Sequence, residues 1–183
     1  MNGGAPGSPT DWITFPIVVL DFEASALTME SFQIEVGLAI ARSPTHPIET
    51  WSSLIQPAGH WDFAAQWDPD AERLHGISRR QLRDGMPCVA VMAKVNALVP
   101  ANITVWCDGG SYDAQWLAEL EAAAGQSADF TLADLGAVIR ASGPAHARFL
   151  EIMRRTKPPH RAGPDAARLC AALQELALPT SAP

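Results

Sequence analysis

The stretch from Ile17 to Leu27, IVVLDFEASAL, is the part of the sequence that decides the fold. Its first four residues are a continuous aliphatic run, which is typical of a strand that is buried in a sheet. Asp21 and Glu23 follow two residues apart, and side chains at positions i and i+2 point to the same face of a strand. About 7 Å of strand separates them. The stretch therefore predicts a buried strand that ends beside two carboxylates.

Two interpretations of this carboxylate pair are open from the stretch alone. The strand ends at Asp21 and water solvates both acids, or the acids share one buried face. In the second case the two charges repel each other and lose their hydration, which is unfavourable without compensation. Hard divalent cations, which prefer oxygen ligands, would compensate for that loss. The pair is thus a candidate metal site.

The surrounding sequence predicts four more strands. Polar and small residues alternate with Ile34, Val36, Leu38 and Ile40, which indicates a period-two strand. Short connections from the first strand to this one, and on to Thr50–Ile55, favour an antiparallel meander. Further strands are predicted from the apolar stretches at residues 103–106 and 130–132.

Helical patterns occupy most of the second half of the chain. Ser78 is a plausible N-cap for a short helix through Arg83, and residues 57–72 read as an aromatic-rich loop. Longer helices are predicted over residues 89–98, 112–124, 146–156 and 164–178. Strands and helices in this order predict an α/β domain with a mixed sheet over residues 11–178. Residues 1–10 and 179–183 are rich in small residues and proline and are predicted to be a disordered tail and a flexible end.

Composition limits the classes to which the chain can belong. It has 183 residues, of which 48% are hydrophobic and 18% charged, as in one globular domain. No apolar run approaches the roughly 20 residues of a membrane span, so no membrane role is expected. Three scattered cysteines fit neither a disulfide framework nor a zinc site and favour a cytoplasmic location. The net charge of −7 means that nucleic-acid binding requires metal ions or a local basic patch.

Two further acidic segments follow later in the chain. Asp113 comes just after an Asp-Gly-Gly turn, and Asp165 follows His160 by five residues in the segment HRAGPD. Taken singly, each aspartate is an ordinary acid in the first turn of a helix, where the helix dipole favours a negative charge.

Four segments in this order resemble the DEDD exonuclease superfamily, in the subgroup whose third motif carries a histidine (DEDDh, DnaQ-like or RNase T-like). They are VVLDFEASAL (18–27), LHGIS (74–78), WCDGGSYDAQWL (106–117) and HRAGPDAA (160–167). The resemblance extends over about residues 15–178. Two departures stand out: Ala24-Ser25-Ala26 replaces the Thr-x-Gly that often follows the glutamate, and Cys107-Asp108 replaces the usual His-Asn.

The resemblance implies an RNase H-like fold and a 3′–5′ exonuclease that releases nucleoside 5′-monophosphates from DNA or RNA. It implies two Mg²⁺ or Mn²⁺ ions, with metal ligands at Asp21, Glu23, Asp113 and Asp165. His160 would be the general base, because an unperturbed imidazole titrates near neutral pH. The partner would be a single-stranded 3′ end, and a homodimer is compatible with the resemblance. Substrate contacts are expected from Ser25, Leu27, Tyr112 and Arg161.

Basic side chains flank His160 and are interpreted either as a path for phosphates or as solvated helix surfaces. The group comprises Arg148, Arg154, Arg155, Lys157, Arg161 and Arg168. Two other functions are weighed against the exonuclease: an inactive nucleic-acid-binding module of the same fold, and an RNase H-like endonuclease. Motifs do not distinguish DNA from RNA, because that choice depends on contacts to the 2′-hydroxyl.

Overall fold

The aliphatic run at residue 17 becomes β1 (Ile17–Ala24), the central strand of a five-stranded sheet in the computed structural model. The structure describes residues 10–178. The predicted disordered tail, apart from Thr10, and the predicted flexible end at 179–183 lie outside this range.

The sheet is mixed and confirms the predicted fold class. The remaining strands are β2 (Gln33–Ala41), β3 (Glu49–Leu54), β4 (Thr104–Cys107) and β5 (Thr131–Asp134). Their order across the sheet is β3-β2-β1-β4-β5. Strands β1, β2 and β3 form the predicted antiparallel meander, whereas β4 runs parallel to β1 and β5 parallel to β4. This arrangement of an antiparallel half and a parallel half is consistent with an RNase H-like fold.

Strand β1 is longer than the aliphatic run that predicts it. The interpretation in which the strand ends at Asp21 is wrong, because Asp21 pairs with Gly37 and Glu23 pairs with Glu35 across the antiparallel ladder. The backbone of both acidic residues is therefore held inside the sheet. Their side chains consequently share one face of a strand, as their spacing requires.

Residues 10–178 contain six α-helices, five of which pack on the two faces of the sheet. The six are α1 (Pro69–His75), α2 (Cys88–Leu98), α3 (Ser111–Ala124), α4 (Leu135–Ala141), α5 (Pro144–Arg154) and α6 (Ala162–Leu176). One core lies between the sheet and α2 and α3, and a second lies between the sheet and α4, α5 and α6. Since helices lie on both faces, β2 is buried along its whole length.

Two predicted segments need correction, and one helix was not predicted. The loop predicted for residues 57–72 contains the start of α1, which has Asp68 as N-cap and proline at its first position. The helix predicted from Ser78 to Arg83 is a single 3₁₀ turn at Gln81–Asp84. Ser78 instead donates from its hydroxyl to the Gln81 side chain. Helix α4 was not predicted, although Asp134 caps it by accepting from Gly136 N at 2.7 Å.

The topology brings acidic residues to one edge of the sheet. The carboxyl ends of parallel strands meet at the same edge, and ligands of open α/β sheets bind there. Asp21 and Glu23 lie towards the end of β1, and Asp108 directly follows the neighbouring β4. The start of α6 packs against β1 and β2. Within residues 10–178, no helix is both long and apolar enough to cross a membrane.

Candidate active site

Three acidic side chains from two distant parts of the chain meet at this edge. Asp21, Glu23 and Asp165 each offer a carboxylate oxygen, and these oxygens all lie within 4.8 Å of one another. All three side chains are partly buried. The structure thus brings together three of the four predicted metal ligands.

Local structure explains why these acids converge. Ile17 and Val19 pack into the core beneath α6, so the two-residue period directs Asp21 and Glu23 to that same face. Asp165 lies in the first turn of α6. Its Oδ2 accepts from Arg161 N at 3.0 Å, which fixes the carboxylate at the helix start. A strand face and a helix N-terminus therefore supply the ligand atoms.

Burial and the convergence of charges raise the pKa values of Asp21 and Glu23. Burial, together with the charge of Asp113 and then of other neighbouring acids, raises the pKa of Asp21 well above its usual range. Burial, followed by the charges of Asp165 and Glu35, raises the pKa of Glu23 to about 8. Both shifts have the same two causes, because loss of hydration and like-charge repulsion each disfavour the ionised form. A bound cation would reverse this effect.

The donor set fits a hard divalent cation. It contains carboxylate oxygens only, which are ligands that Mg²⁺ and Mn²⁺ prefer. Within residues 10–178, no hydrogen bond or ion pair from the protein occupies the carboxylates of Asp21 and Glu23. Three carboxylates at such short separation could hold a metal ion.

The acids line a cleft that also contains the predicted base. The cleft has a volume of about 230 Å³, and its walls include Asp21, Glu23, Asp165 and His160. His160 has a φ of 55°, a left-handed backbone conformation that is uncommon for residues other than glycine. His160 is half-buried and thus lines the same cleft as the acidic cluster.

Asp113, the fourth predicted ligand, stands apart from this group. It is buried in the first turn of α3, and its Oδ2 accepts from Gly109 N at 2.8 Å. Burial raises its pKa to about 6, against the lowering effect of that hydrogen bond. Among charged neighbours, Asp113 has the largest effect on the pKa of Asp21. Asp113 is therefore electrostatically coupled to the site without sharing the cluster of close oxygens.

The two residues at the end of β4 have different environments. Cys107 is buried, and its Sγ donates to Ala133 O of β5 at 3.5 Å. Asp108 lines the cleft instead, and burial followed by the charge of Asp165 raises its pKa. The Cys-Asp departure therefore adds a further carboxylate to the cleft wall.

Three predicted substrate contacts occupy contrasting positions. Ser25 is fully buried and its hydroxyl accepts from Phe32 N at 3.2 Å. Leu27 is 68% exposed, and Tyr112 is half-buried and stacks on Trp116 with ring centroids 5.7 Å apart. Exposure suits the predicted role of Leu27, whereas the Ser25 hydroxyl serves the β1–β2 connection. Contact of any of the three with substrate stays a prediction.

Arg161 has a protein partner that the sequence analysis missed. Its Nη2 and Nε donate to the two carboxylate oxygens of Glu35 at 2.6 and 2.9 Å. Glu35 lies in β2 and is only 2% exposed. A glutamate inside an apolar strand was the available signal, but strand periodicity alone gives no partner for it.

The basic residues around His160 divide into two kinds. Four of them bond within the chain: Arg148, Arg155, Arg161 and Arg168. Arg154 and Lys157 are exposed, and no ion pair involves them within residues 10–178. The predicted path for phosphates is therefore reduced to the side chains that the fold does not already use.

A larger cavity of about 550 Å³ adjoins the cleft and shares Met153 and Arg168 with it. Its wall is mainly aliphatic, and its one carboxylate, Glu175, is paired with Arg155 at 2.8 Å. The reactive groups are in the smaller cleft, so size does not identify the site.

Comparison of the chain with models of protein families gives no match, and comparison with curated proteins likewise gives no significant match.

Proposed function

We propose that the chain is a metal-dependent 3′–5′ exonuclease that hydrolyses phosphodiester bonds of DNA or RNA. The observation that carries the proposal is the meeting of Asp21, Glu23 and Asp165 within 4.8 Å in a cleft that His160 also lines. No ion pair among residues 10–178 involves these acids, whereas phosphoryl transfer assisted by divalent cations uses carboxylates as metal ligands.

Each side chain has a distinct task in this proposal. Asp21, Glu23 and Asp165 would hold Mg²⁺ or Mn²⁺, with Asp113 completing the set from the start of α3. Such ions supply charge stabilisation to the attacking and leaving oxygens of an in-line displacement. His160 accepts a proton from the attacking water. The bond between phosphorus and the 3′-oxygen breaks, that oxygen takes a proton from solvent, and a nucleoside 5′-monophosphate leaves.

The test uses a panel of labelled substrates: single-stranded DNA, duplex DNA, long RNA and ribonucleotides of two to five residues. With Mg²⁺ or Mn²⁺ the full chain is expected to release mononucleotides from the 3′ end and to leave circular single strands intact. EDTA should stop the reaction. Asp21→Asn should lower the rate by roughly 10³-fold, because metal stabilisation of the transition state is worth several kcal/mol.

Glu49→Gln is the matched control, since Glu49 lies in β3 and pairs with exposed Arg42, away from the cleft. It should retain wild-type activity. Cleavage of circular strands would favour an endonuclease. Metal-independent binding of oligonucleotides without turnover of any substrate would favour a binding module, and either result would overturn the proposal.

A further inference from the structure

Glu35 carries a buried carboxylate that needs compensating interactions. It lies in β2 directly opposite Glu23 and is 2% exposed. An isolated buried charge is strongly unfavourable, and a nearby like charge makes it more so. Its presence therefore requires hydrogen-bond partners for the carboxylate oxygens.

Three donors from one short segment meet this carboxylate. Arg161 Nη2 donates to Oε1 at 2.6 Å, Arg161 Nε donates to Oε2 at 2.9 Å, and Ala162 N donates to Oε2 at 3.0 Å. The guanidinium contact is bidentate, a geometry that adds orientation as well as strength. One carboxylate thus binds both the Arg161 side chain and the Ala162 backbone. These two residues form the junction at which the chain enters α6.

That junction connects the two reactive groups of the third motif. His160 precedes it in a left-handed conformation, and Asp165 follows it within the first turn of α6. Asp165 Oδ2 accepts from Arg161 N at 3.0 Å, so the junction is bonded from both sides. The chain between His160 and Asp165 is therefore held by contacts to both Glu35 and Asp165.

Gly37 shows how closely the junction rests on β2. A Cβ atom at Gly37 would lie 2.1 Å from Ala162 C and 2.3 Å from Gly163 N. Glu35 and Gly37 are two residues apart and face the same side of β2. The strand therefore both supports the junction sterically and holds it by charge.

We propose that Glu35 is a positioning residue of the nuclease site, which acts through Arg161 and the Ala162 amide to set the relative placement of His160 and Asp165. The inference rests on the proposed function and deepens it. It also assigns Arg161 to the protein rather than to substrate, because two of its three guanidinium nitrogens are bonded to Glu35.

The experiment compares full-length wild type with Glu35→Gln, Glu35→Asp, Arg161→Lys and the control Glu49→Gln. Glu49 also forms a bidentate pair, with Arg42 at 2.6 and 2.9 Å, but that pair is exposed and remote from the junction. Two readouts are used: steady-state kinetics with Mn²⁺, and histidine ring NMR signals of metal-free protein, with His46 and His146 as internal references.

Glu35→Gln and Arg161→Lys are expected to lower kcat by about 10- to 100-fold, as loss of a group that orients metal ligands does, with KM changed less than threefold. Glu35→Asp should recover part of the loss. The His160 ring signals should shift or broaden in both variants while those of His46 and His146 stay in place. Glu49→Gln should match wild type in every readout.

Three outcomes would overturn the inference. They are an unchanged kcat in Glu35→Gln, a rise in KM alone in Arg161→Lys, and unmoved His160 signals in both variants. The NMR readout judges the inference even if wild type proves inactive, so failure of the proposed function is recognised separately. Variants that do not fold are recognised by the loss of dispersion of all histidine signals, and Glu35→Asp then carries the test.

Discussion

Glu23 and Glu35 lie opposite each other on neighbouring strands, yet their carboxylates have different surroundings. Glu35 receives a guanidinium and a backbone amide, whereas no ion pair or hydrogen bond from the described residues satisfies the Glu23 carboxylate. Burial and neighbouring charges raise the pKa of Glu23 to about 8. The difference distinguishes a buried carboxylate whose oxygens are satisfied by protein donors from one whose ionised form burial and neighbouring acids disfavour.

The largest expected effect concerns Glu23, where divalent cations are expected to stabilise the folded protein. Saturating Mg²⁺ or Mn²⁺ should raise Tm, since a ligand at 100 times its Kd adds about 2.7 kcal/mol. Tm changes by roughly 2–4 °C per kcal/mol in a domain of this size. Differential scanning calorimetry with and without EDTA measures the shift. Glu23→Gln should lose most of it, and a full shift in that variant would contradict the assignment of Glu23 as a ligand.

On the Glu35 side, Gly37→Ala should push the start of α6 off β2. Because the added Cβ would meet backbone atoms that cannot rotate away, the free energy of unfolding should fall by about 1–3 kcal/mol or more. Activity should fall with it, since the junction carries His160. Gly59→Ala is the control, because no atom lies within 4 Å of a Cβ there. Chemical denaturation compares the two, and equal stability would show that the junction accommodates the methyl group.

Neutralising the two glutamates in turn should move stability in opposite directions in metal-free protein. Glu35→Gln should lower the free energy of unfolding by about 1–3 kcal/mol, because an amide leaves buried donors without a good acceptor. Glu23→Gln should raise Tm, because it removes an acid that ionises in the unfolded chain but whose ionised form burial and neighbouring acids disfavour in the folded one. Thermal unfolding in the presence of EDTA measures the direction of the stability change in both variants. Changes of the same sign in both variants would mean that the two carboxylates have equivalent surroundings.

A further prediction is a pH dependence that belongs to Glu23 and Asp21. Their pKa values are higher in the folded chain than the usual 4.5 and 3.8, so between these values and about pH 8 the folded state binds more protons than the unfolded state. The contribution of these two carboxyls to the stability of metal-free protein is therefore full below their usual values of 3.8 and 4.5 and declines as pH rises towards 8. Urea denaturation at several pH values should show this decline, and a weaker one in Glu23→Gln. A rise in stability over the same range would exclude raised pKa values.

Sequence patterns were sufficient to predict most of the strands and helices of the fold. The aliphatic run at residue 17 predicted the central strand, and alternation from residue 33 predicted its antiparallel neighbour. Helix α1, which has seven residues, was not predicted, because the segment before it is rich in aromatic residues and resembles a loop. Asp68-Pro69 was the available signal for a helix start. Patterns succeed where burial repeats with a regular period, and short capped turns lack such a period.

The candidate site was predicted less completely than the fold. Asp21, Glu23 and Asp165 were expected to cluster and they do, whereas Asp113 lies outside their close group. The exposed position of Leu27 and the buried hydroxyl of Ser25 follow from the shape of the β1–β2 connection. Such positions depend on how one loop packs against its neighbours, which no local spacing encodes.

The sequence by itself determined which side chains share a face and which helix begins at the HRAGPD segment, because strand and helix periods are local properties of the backbone. Only the tertiary structure decided that Glu35 would be paired and Glu23 would not. The partner of Glu35 lies 126 residues further along the chain, and only the packing of α6 on β2 brings it within bonding distance. Electrostatic roles of this kind follow from three-dimensional proximity, so identical residue types on adjacent strands acquire opposite roles.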